Sequence, residues 1–398
     1  MTLLRIDDPA APARPGGLQG QPLFALGFRP FYLLGAAFAG VAVPAWTASW
    51  LGWSGAPQLT LAWHMHEMLF GFVIAIVVGF LFTAGRNWTG LWTPRGGHLA
   101  ALAALWLAGR AGMAFLPPAA AAALDVIFLP LAARPLYRVI RRAGNTRNLV
   151  MVALLAVLAA ANAVFHAAVL GWLPVSPVQP LYAAIVAVIV IESVLGGRVI
   201  PSFTANALRG VRTVTSPRLE KLSLALTVAT GLAWALLPLS LPLAVLAAAT
   251  AVVQGLRMAG WKPLATLGTP LLWILHVSYA WIPLGFLMLA LACVGLAPHS
   301  AAVHLLTVGA MGGLIIGMIT RTALGHTGRM LKAGRAETAM YLLLQAGVLA
   351  RLVAALGAGS LYQAGLVAAS ICWSLAFALY CITYGPCLLR ARVDGREG

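Results

Sequence analysis

Charge is what this chain of 398 residues has least of: Asp, Glu, Lys and Arg make up 9% of it, and 61% is hydrophobic. An average soluble protein carries about 25% charged residues. A water-soluble domain with so few charges could not cover its own surface. Soluble enzymes, nucleic-acid binders and disordered chains are therefore excluded, and a multi-spanning membrane protein remains. Acids are the scarcest group, 9 against 26 Lys and Arg, for a net charge of +17. In a soluble chain that imbalance would suggest nucleic acid. In a membrane protein it reports topology, because cytoplasmic loops collect Lys and Arg. Cysteine is sparse too. Cys293, Cys372, Cys381 and Cys387 lie in apolar segments without a CxxC pair, which argues against a disulfide framework or a zinc site. The Pro-, Gly- and Ala-rich start lacks a hydrophobic signal core, so no cleaved signal peptide is expected.

What the chain has is apolar runs long enough to cross a bilayer, which takes about twenty residues. Twelve are read, at roughly 30–52, 63–84, 98–116, 120–140, 149–172, 180–196, 219–237, 241–257, 270–295, 302–320, 337–357 and 361–387. The expected fold is an all-α membrane protein, a bundle of about twelve transmembrane helices. Residues 23–390 would form one domain, between a disordered cytoplasmic tail over 1–22 and a cytoplasmic tail over 391–398. The connections alternate in charge. One set is basic, including Arg29, Arg86, Arg95, Arg138, Arg147, Arg209, Arg212, Arg257, Arg329, Lys332 and Arg392. The other, around Gly55, Pro117, Pro174, Pro238, Pro298 and Gly359, contains no Lys or Arg. That parity implies an even number of spans with both termini in the cytoplasm. Only Arg110 and Arg351 fall inside spans.

Ionisable groups within spans are costly and mark function by default. The expected orientation sorts them into two clusters. Near the outer face lie His64, His66, Glu67, Arg110, Asp125, His166 with Asn162, His304 and Arg351. Near the inner face lie Glu192, Arg198, His276, Arg321 and His326. On a regular helix, His64, Glu67 and Met68 share one face and His66, Leu69, Phe70 and Val73 another. The two histidines of His64-Met65-His66 thus point to two centres, or one ligates while the other hydrogen-bonds. Metal or haem ligation is the reading; polar capping at a helix end is the plainer one. Arg110 and Arg351 are expected to have an anion nearby, Glu67 or Asp125 or, for at least one of them, a haem propionate; snorkelling to the interface is the plainer reading. Glu192 is expected to be neutralised by Arg198 or Arg321. His98 and His299, in or beside connections, are expected to be dispensable.

In the tenth span His304 is followed by Gly309, Gly313 and Gly317, a stripe that suits close helix packing or a flat porphyrin. Met311 and Met318 read as packing first and as soft copper ligands second. The stretch Gly196-Gly-Arg-Val-Ile-Pro-Ser-Phe-Thr-Ala-Asn206 is expected to break the sixth helix, with Arg198 and Asn206 among its donors. Thr320-Arg-Thr-Ala-Leu-Gly-His-Thr-Gly-Arg329 has the same character. Both fit a lipid-facing basic loop or an anion pocket.

With these motifs the sequence resembles the NnrS family, haem- and copper-associated membrane proteins of bacterial nitric-oxide response and denitrification. The resemblance rests on LGFRPFYLL (26–34), WHMHEMLFGF (63–72), GFLFTAGRNWTG (79–90), GGRVIPSFTAN (196–206), the helix around His276 and Tyr279, HLLTVGAMGG (304–313) and TRTALGHTGR (320–329). It runs from about residue 23 to 390, with Ser278 standing where a glycine is expected. It implies a twelve-helix protein of the bacterial inner membrane, carrying non-covalent haem and copper and protecting against nitrosative stress. Candidate ligands are His64, His66, His276, His304, His326 and His166, with Arg110, Arg198, Arg321 and Arg351 toward the cofactor. Glu67, Asp125, Glu192, Asn206 and Tyr279 would support them. Nitric oxide or a related small molecule would be the ligand, with a redox partner supplying electrons. Two other classes fit the helix count: a transporter or exporter of a metal, haem or small anion, and a sensor acting through a partner protein. Against transport, hydropathy shows no inverted repeat.

Overall fold

The structure is a computed structural model and describes residues 17–397. The expected N-terminal tail lies mostly outside the described residues. Among the described residues, twelve helices are long and apolar enough to cross a membrane. They are α1 (Phe28–Trp50), α2 (Leu61–Thr89), α3 (Gly96–Phe115), α4 (Pro118–Arg142), α5 (Thr146–Val169) and α6 (Val178–Ala207), then α7 (Pro217–Leu236), α8 (Leu241–Ala259), α9 (Pro270–Cys293), α10 (His299–His326), α11 (Arg335–Leu356) and α12 (Gly359–Leu388). No strand occurs among the described residues. Helix starts follow local chemistry. Pro118, Pro217 and Pro270 occupy first-turn positions, where a missing N–H costs nothing. Thr60 caps α2 by accepting from the Trp63 amide at 3.1 Å.

Apolar residues fill the interior and also cover the outer surface of the bundle. Leu107, Val157, Val252, Leu342 and Ile382 sit mid-helix and are exposed, as lipid-facing residues should be. The most enclosed spans are α2, α10 and α6, with 83%, 72% and 67% of their apolar windows buried. These three form the centre of the bundle. They also carry His64, His66, His304 and Glu192.

The start of α1 and the end of α12 lie on one face. Arg29, in the first turn of α1, is fully buried and donates to the Leu388 and Arg390 carbonyls at 2.9 and 2.7 Å. It is thus a tie between α1 and α12 rather than part of a solvated connection. Arg392 continues the closure, donating to the His326 carbonyl at the end of α10. It also holds the exposed Asp394 carboxyl well below the usual carboxylate range through a paired hydrogen bond. We call this the termini face, and the other end of the bundle the far face. By the positive-inside rule the termini face is expected to be the cytoplasmic one. Alkaline phosphatase fused near Gly55, Pro174 or Pro298 is therefore expected to be active, and near Arg142 or Lys332 silent. The reverse pattern would invert the assignment.

The helices depart from regularity in places that matter for the site. In α2 the stretch Glu67–Val73 is π-helical, and in α10 so is Leu305–Gly312; each begins directly after a candidate ligand, His66 and His304. Such turns cluster at functional sites because they re-aim side chains. Helix α4 is interrupted at Ile127, two residues after Asp125. Pro130 cannot donate to the Val126 carbonyl, which accounts for the break.

One expected break is absent. Gly196 to Asn206 remains helical inside α6 despite its glycines and Pro201. The glycines serve proximity instead. A Cβ on Gly197 would overlap the Arg257 guanidinium, and one on Gly196 would lie 3.0 Å from the Tyr279 ring. The stripe on α10 likewise serves packing. Gly309, Gly313 and Gly317 meet Trp281, Ser278 and Leu275, all on α9. None is left for a porphyrin face.

Candidate functional site

Two separate centres are built around the His64-Met65-His66 segment. The first is a cavity of about 360 Å³ between α1, α2, α6, α10, α11 and α12, reaching inward from the far face. Its walls are mostly aromatic and aliphatic, and its polar members include His64, His304 and Arg351. The volume lies in the range of small-molecule sites. His64 stacks on Trp46, ring centroids 3.9 Å apart and 17° from parallel, and its buried Nδ1 has no hydrogen-bond partner. His304 Nδ1 lies 2.6 Å from the Ser300 carbonyl, one turn back on α10. A carbonyl only accepts, so that nitrogen carries the hydrogen and Nε2 is left with a lone pair. A second nitrogen fixed this way is the usual support of a metal-ligating histidine. Arg351 Nη1 is buried and has no partner, and no carboxylate pairs with this arginine among the described residues.

The second centre is a compact ion cluster. Arg110 on α3 donates to Glu67 Oε1 at 2.6 Å and is also hydrogen-bonded to Asp125 Oδ1. Asn162 and His166 on α5 reach Asp125 Oδ2 at 2.7 and 3.0 Å. His66 places Nδ1 2.9 Å from Glu67 Oε1, and Nε2 3.2 Å from Asp125 Oδ2 and 2.9 Å from Asn162 Oδ1. Gly71 makes room, since a Cβ there would lie 3.0 Å from the Arg110 guanidinium. Ligand atoms of His66, Asp125 and His166 all lie within 4.8 Å of one another, and all three residues are buried.

The cluster has an electrostatic shortfall. Two carboxylates face one guanidinium, and both ring nitrogens of His66 face acceptors. One ring nitrogen can donate to its acceptor; the other needs a proton or a metal ion between itself and the oxygen. Two imidazoles and a carboxylate suit a divalent first-row metal. Asn162 and Arg110 hold the carboxylate from outside that position.

The pairing of faces differs from the regular-helix expectation. Glu67 joins His66 rather than His64, while Leu69 and Val73 line the cavity with His64. Glu67 is the chain neighbour of His66, and its carboxylate lies between that ring and the Arg110 guanidinium, while the π-helical turn that starts there re-aims the side chains after it. Of the two arginines, Arg110 has its anions in Glu67 and Asp125. Arg351 instead faces the cavity.

The inner set does not assemble into one pocket. Among the described residues no hydrogen bond or ion pair joins any two of Glu192, Arg198, His276, Arg321 and His326. Arg198 is exposed, and its charged neighbour is Arg147. Arg321 lies 3.8 Å over the Phe203 ring. His276 Nε2 lies 2.9 Å from Thr204 Oγ1. His326 packs on Phe28, and Asn206 is exposed, 3.5 Å from Ser202. Each helix here presents its polar group to a different neighbour.

Three features escaped the sequence. His299 lines the cavity, and its Nε2 accepts from the Trp234 indole at 2.8 Å, so it is a wall residue with that lone pair already used. Arg257, read as a connection residue, is buried in α8. It pairs with Glu220 and donates to Ser193 Oγ and Tyr279 Oη at 2.9 and 2.6 Å, while Tyr279 donates to Gln254 at 2.7 Å. Tyr279 is thus one member of a structural lock between α6, α7, α8 and α9. Tyr362, which accepts from the Trp50 indole at 2.7 Å, lines the cavity near its far-face end.

The family model described as NnrS protein matches residues 22–392, nearly the whole chain. Among curated proteins no relative matches.

Proposed function

The chain belongs to the NnrS family, and from that premise we propose that it is a haem- and copper-carrying membrane protein that binds or redox-processes nitric oxide or a species derived from it. One observation supports the reading above all others. Two histidines and an arginine that lacks a carboxylate face a single apolar cavity of about 360 Å³, and His64 Nδ1 and Arg351 Nη1 are buried there without partners. Those groups fit a non-covalent haem. His64 and His304 would hold the iron and Arg351 a propionate, while His66, Asp125 and His166 would hold copper. The haem would supply one-electron chemistry.

The chain's own residues do the rest. Ser300 fixes the His304 ring, and Trp46 holds the plane of His64. Phe72, Trp373 and their neighbours exclude water and make the cavity a place where an apolar gas concentrates. Arg110 and Asn162 orient the Asp125 carboxylate. Electrons would come from a redox partner, and the protein would serve the bacterial inner membrane in defence against nitrosative stress.

An anaerobic absorption spectrum of the purified protein, with iron and copper analysis before and after nitric oxide, tests this. A Soret band that shifts on addition of nitric oxide, with copper present, is expected. Absence of both metals removes the proposal.

A further inference from the structure

A second cavity, of about 100 Å³, lies on the termini side of the first. It runs between α1, α2, α6, α9 and α10, and Val73 belongs to both cavities. The wall is otherwise apolar, yet it contains one carboxyl group, Glu192. Its Oε2 is buried without a hydrogen-bond partner, and no cation pairs with it among the described residues. Glu192 lies near the middle of α6, about equally far from both of its ends. Tyr32, one turn into α1 from the termini face, lines the same cavity and lies beside Thr322 near the end of α10. Thr322 and Tyr32 thus lie one turn in from that face and Glu192 near mid-helix, in a cavity that meets the far-side cavity at Val73.

We propose that Glu192 and the cavity it faces carry protons from the termini face of the bundle to the His64–His304 cavity. The physical reason is the missing counter-charge. An unpaired carboxylate among apolar side chains is costly, and the cost disappears when the group takes up a proton. A carboxyl near mid-membrane with no ion pair to maintain is suited to relaying a proton rather than to bracing helices. The structural acids of this chain look different: Glu67 and Asp125 are held by Arg110, Glu220 by Arg257, and Glu337 by Tyr384 and the Gly334 amide. The inference rests on the redox reading of the far-side cavity. When that cavity gains one electron from a one-electron donor, which is itself oxidised, one proton enters through Glu192 and the local charge is unchanged.

Two measurements on the full-length protein in lipid nanodiscs test it. The first needs no cofactor. Dicyclohexylcarbodiimide modifies carboxyl groups that hold a proton in apolar surroundings, and peptide mass spectrometry locates the adduct. Glu192 is expected to be labelled at least tenfold more than Glu67 or Asp125; equal or absent labelling overturns the proposal. The second follows proton uptake with a pH indicator as dithionite reduces the haem-loaded protein. Glu192→Gln is expected to slow uptake at least tenfold with haem content unchanged, and Glu192→Asp to restore part of the rate. Unchanged uptake in Glu192→Gln overturns the relay. A preparation that binds no haem would instead remove the redox reading, while the labelling still decides whether Glu192 holds a proton.

Discussion

His304→Ala is expected to lower haem per protein at least tenfold, with the protein still inserted and monodisperse in detergent. The side chain hangs from the turn that precedes the π-helical stretch of α10, and only its Nδ1 has a protein partner. Removing it creates a small space in a wall that is already open, so the fold should lose little. A ligand bound through one coordinate bond and apolar contact should lose most of its affinity. His64→Ala should have a comparable effect, with an added loss of the stack on Trp46. Exogenous imidazole, small enough to fill either space, should return part of the Soret absorbance. His276→Ala and His326→Ala should retain haem, because neither residue lines the cavity. Haem contents that fall equally in all four variants would mean that iron is held elsewhere. The measurement is the pyridine haemochrome content of each purified variant, normalised to protein.

The two arginines within spans should separate cleanly when each is replaced by methionine. Arg110→Met leaves the Glu67 and Asp125 carboxylates buried without their cation. Breaking a buried pair by removing one partner costs about 3–5 kcal/mol, a large fraction of the about 5–15 kcal/mol by which proteins are stable. Poor accumulation in the membrane and a melting temperature many degrees lower are expected. Copper content should fall with it, because Arg110 holds the Asp125 carboxylate. Arg351→Met removes a guanidinium that has no carboxylate to abandon. Its melting temperature without cofactor should match or exceed that of the parent, while haem retention weakens or the haem potential shifts. Fluorescence-detected thermal melts of cofactor-free protein, paired with metal analysis, separate the two. Equal destabilisation by both substitutions would show that Arg351 has an anionic partner within the protein.

Much of this was legible in the residues. Twelve spans follow from apolar run length, because a bilayer demands about twenty residues whatever the neighbours are. The return of both ends to one face follows from that even count, and Arg29 reaching across to α12 reports it directly. His64, His66, Arg110, Asp125, His166, His304 and Arg351 stand out because an ionisable side chain within a span is expensive wherever it points. That His64 and His66 face different surroundings follows from alternate positions on one helix, but which of the other residues joins each was not legible.

Which acid serves which histidine was decided only by the tertiary structure. Glu67 was assigned to the His64 face because regular helical spacing puts it there. In the structure its carboxylate instead lies between the neighbouring His66 ring and Arg110 from α3, a partner that no local spacing supplies. Gly196, Gly197 and Pro201 read as a helix break, yet α6 runs on because Arg257 and Tyr279 from other helices fill the space the glycines leave. Arg257 looked like a loop charge because its partners, Glu220, Ser193 and Tyr279, are 37, 64 and 22 residues away in the chain. Glu192 looked like half of an ion pair, since Arg198 and Arg321 lie near the same end of the bundle in sequence terms. Helix rotation turns Arg198 outward and lays Arg321 over Phe203, leaving the carboxyl to face a cavity. Depth in the membrane is set by position along a span, which the sequence contains. Azimuth is set by the packing of neighbouring helices, a long-range property that no single segment encodes.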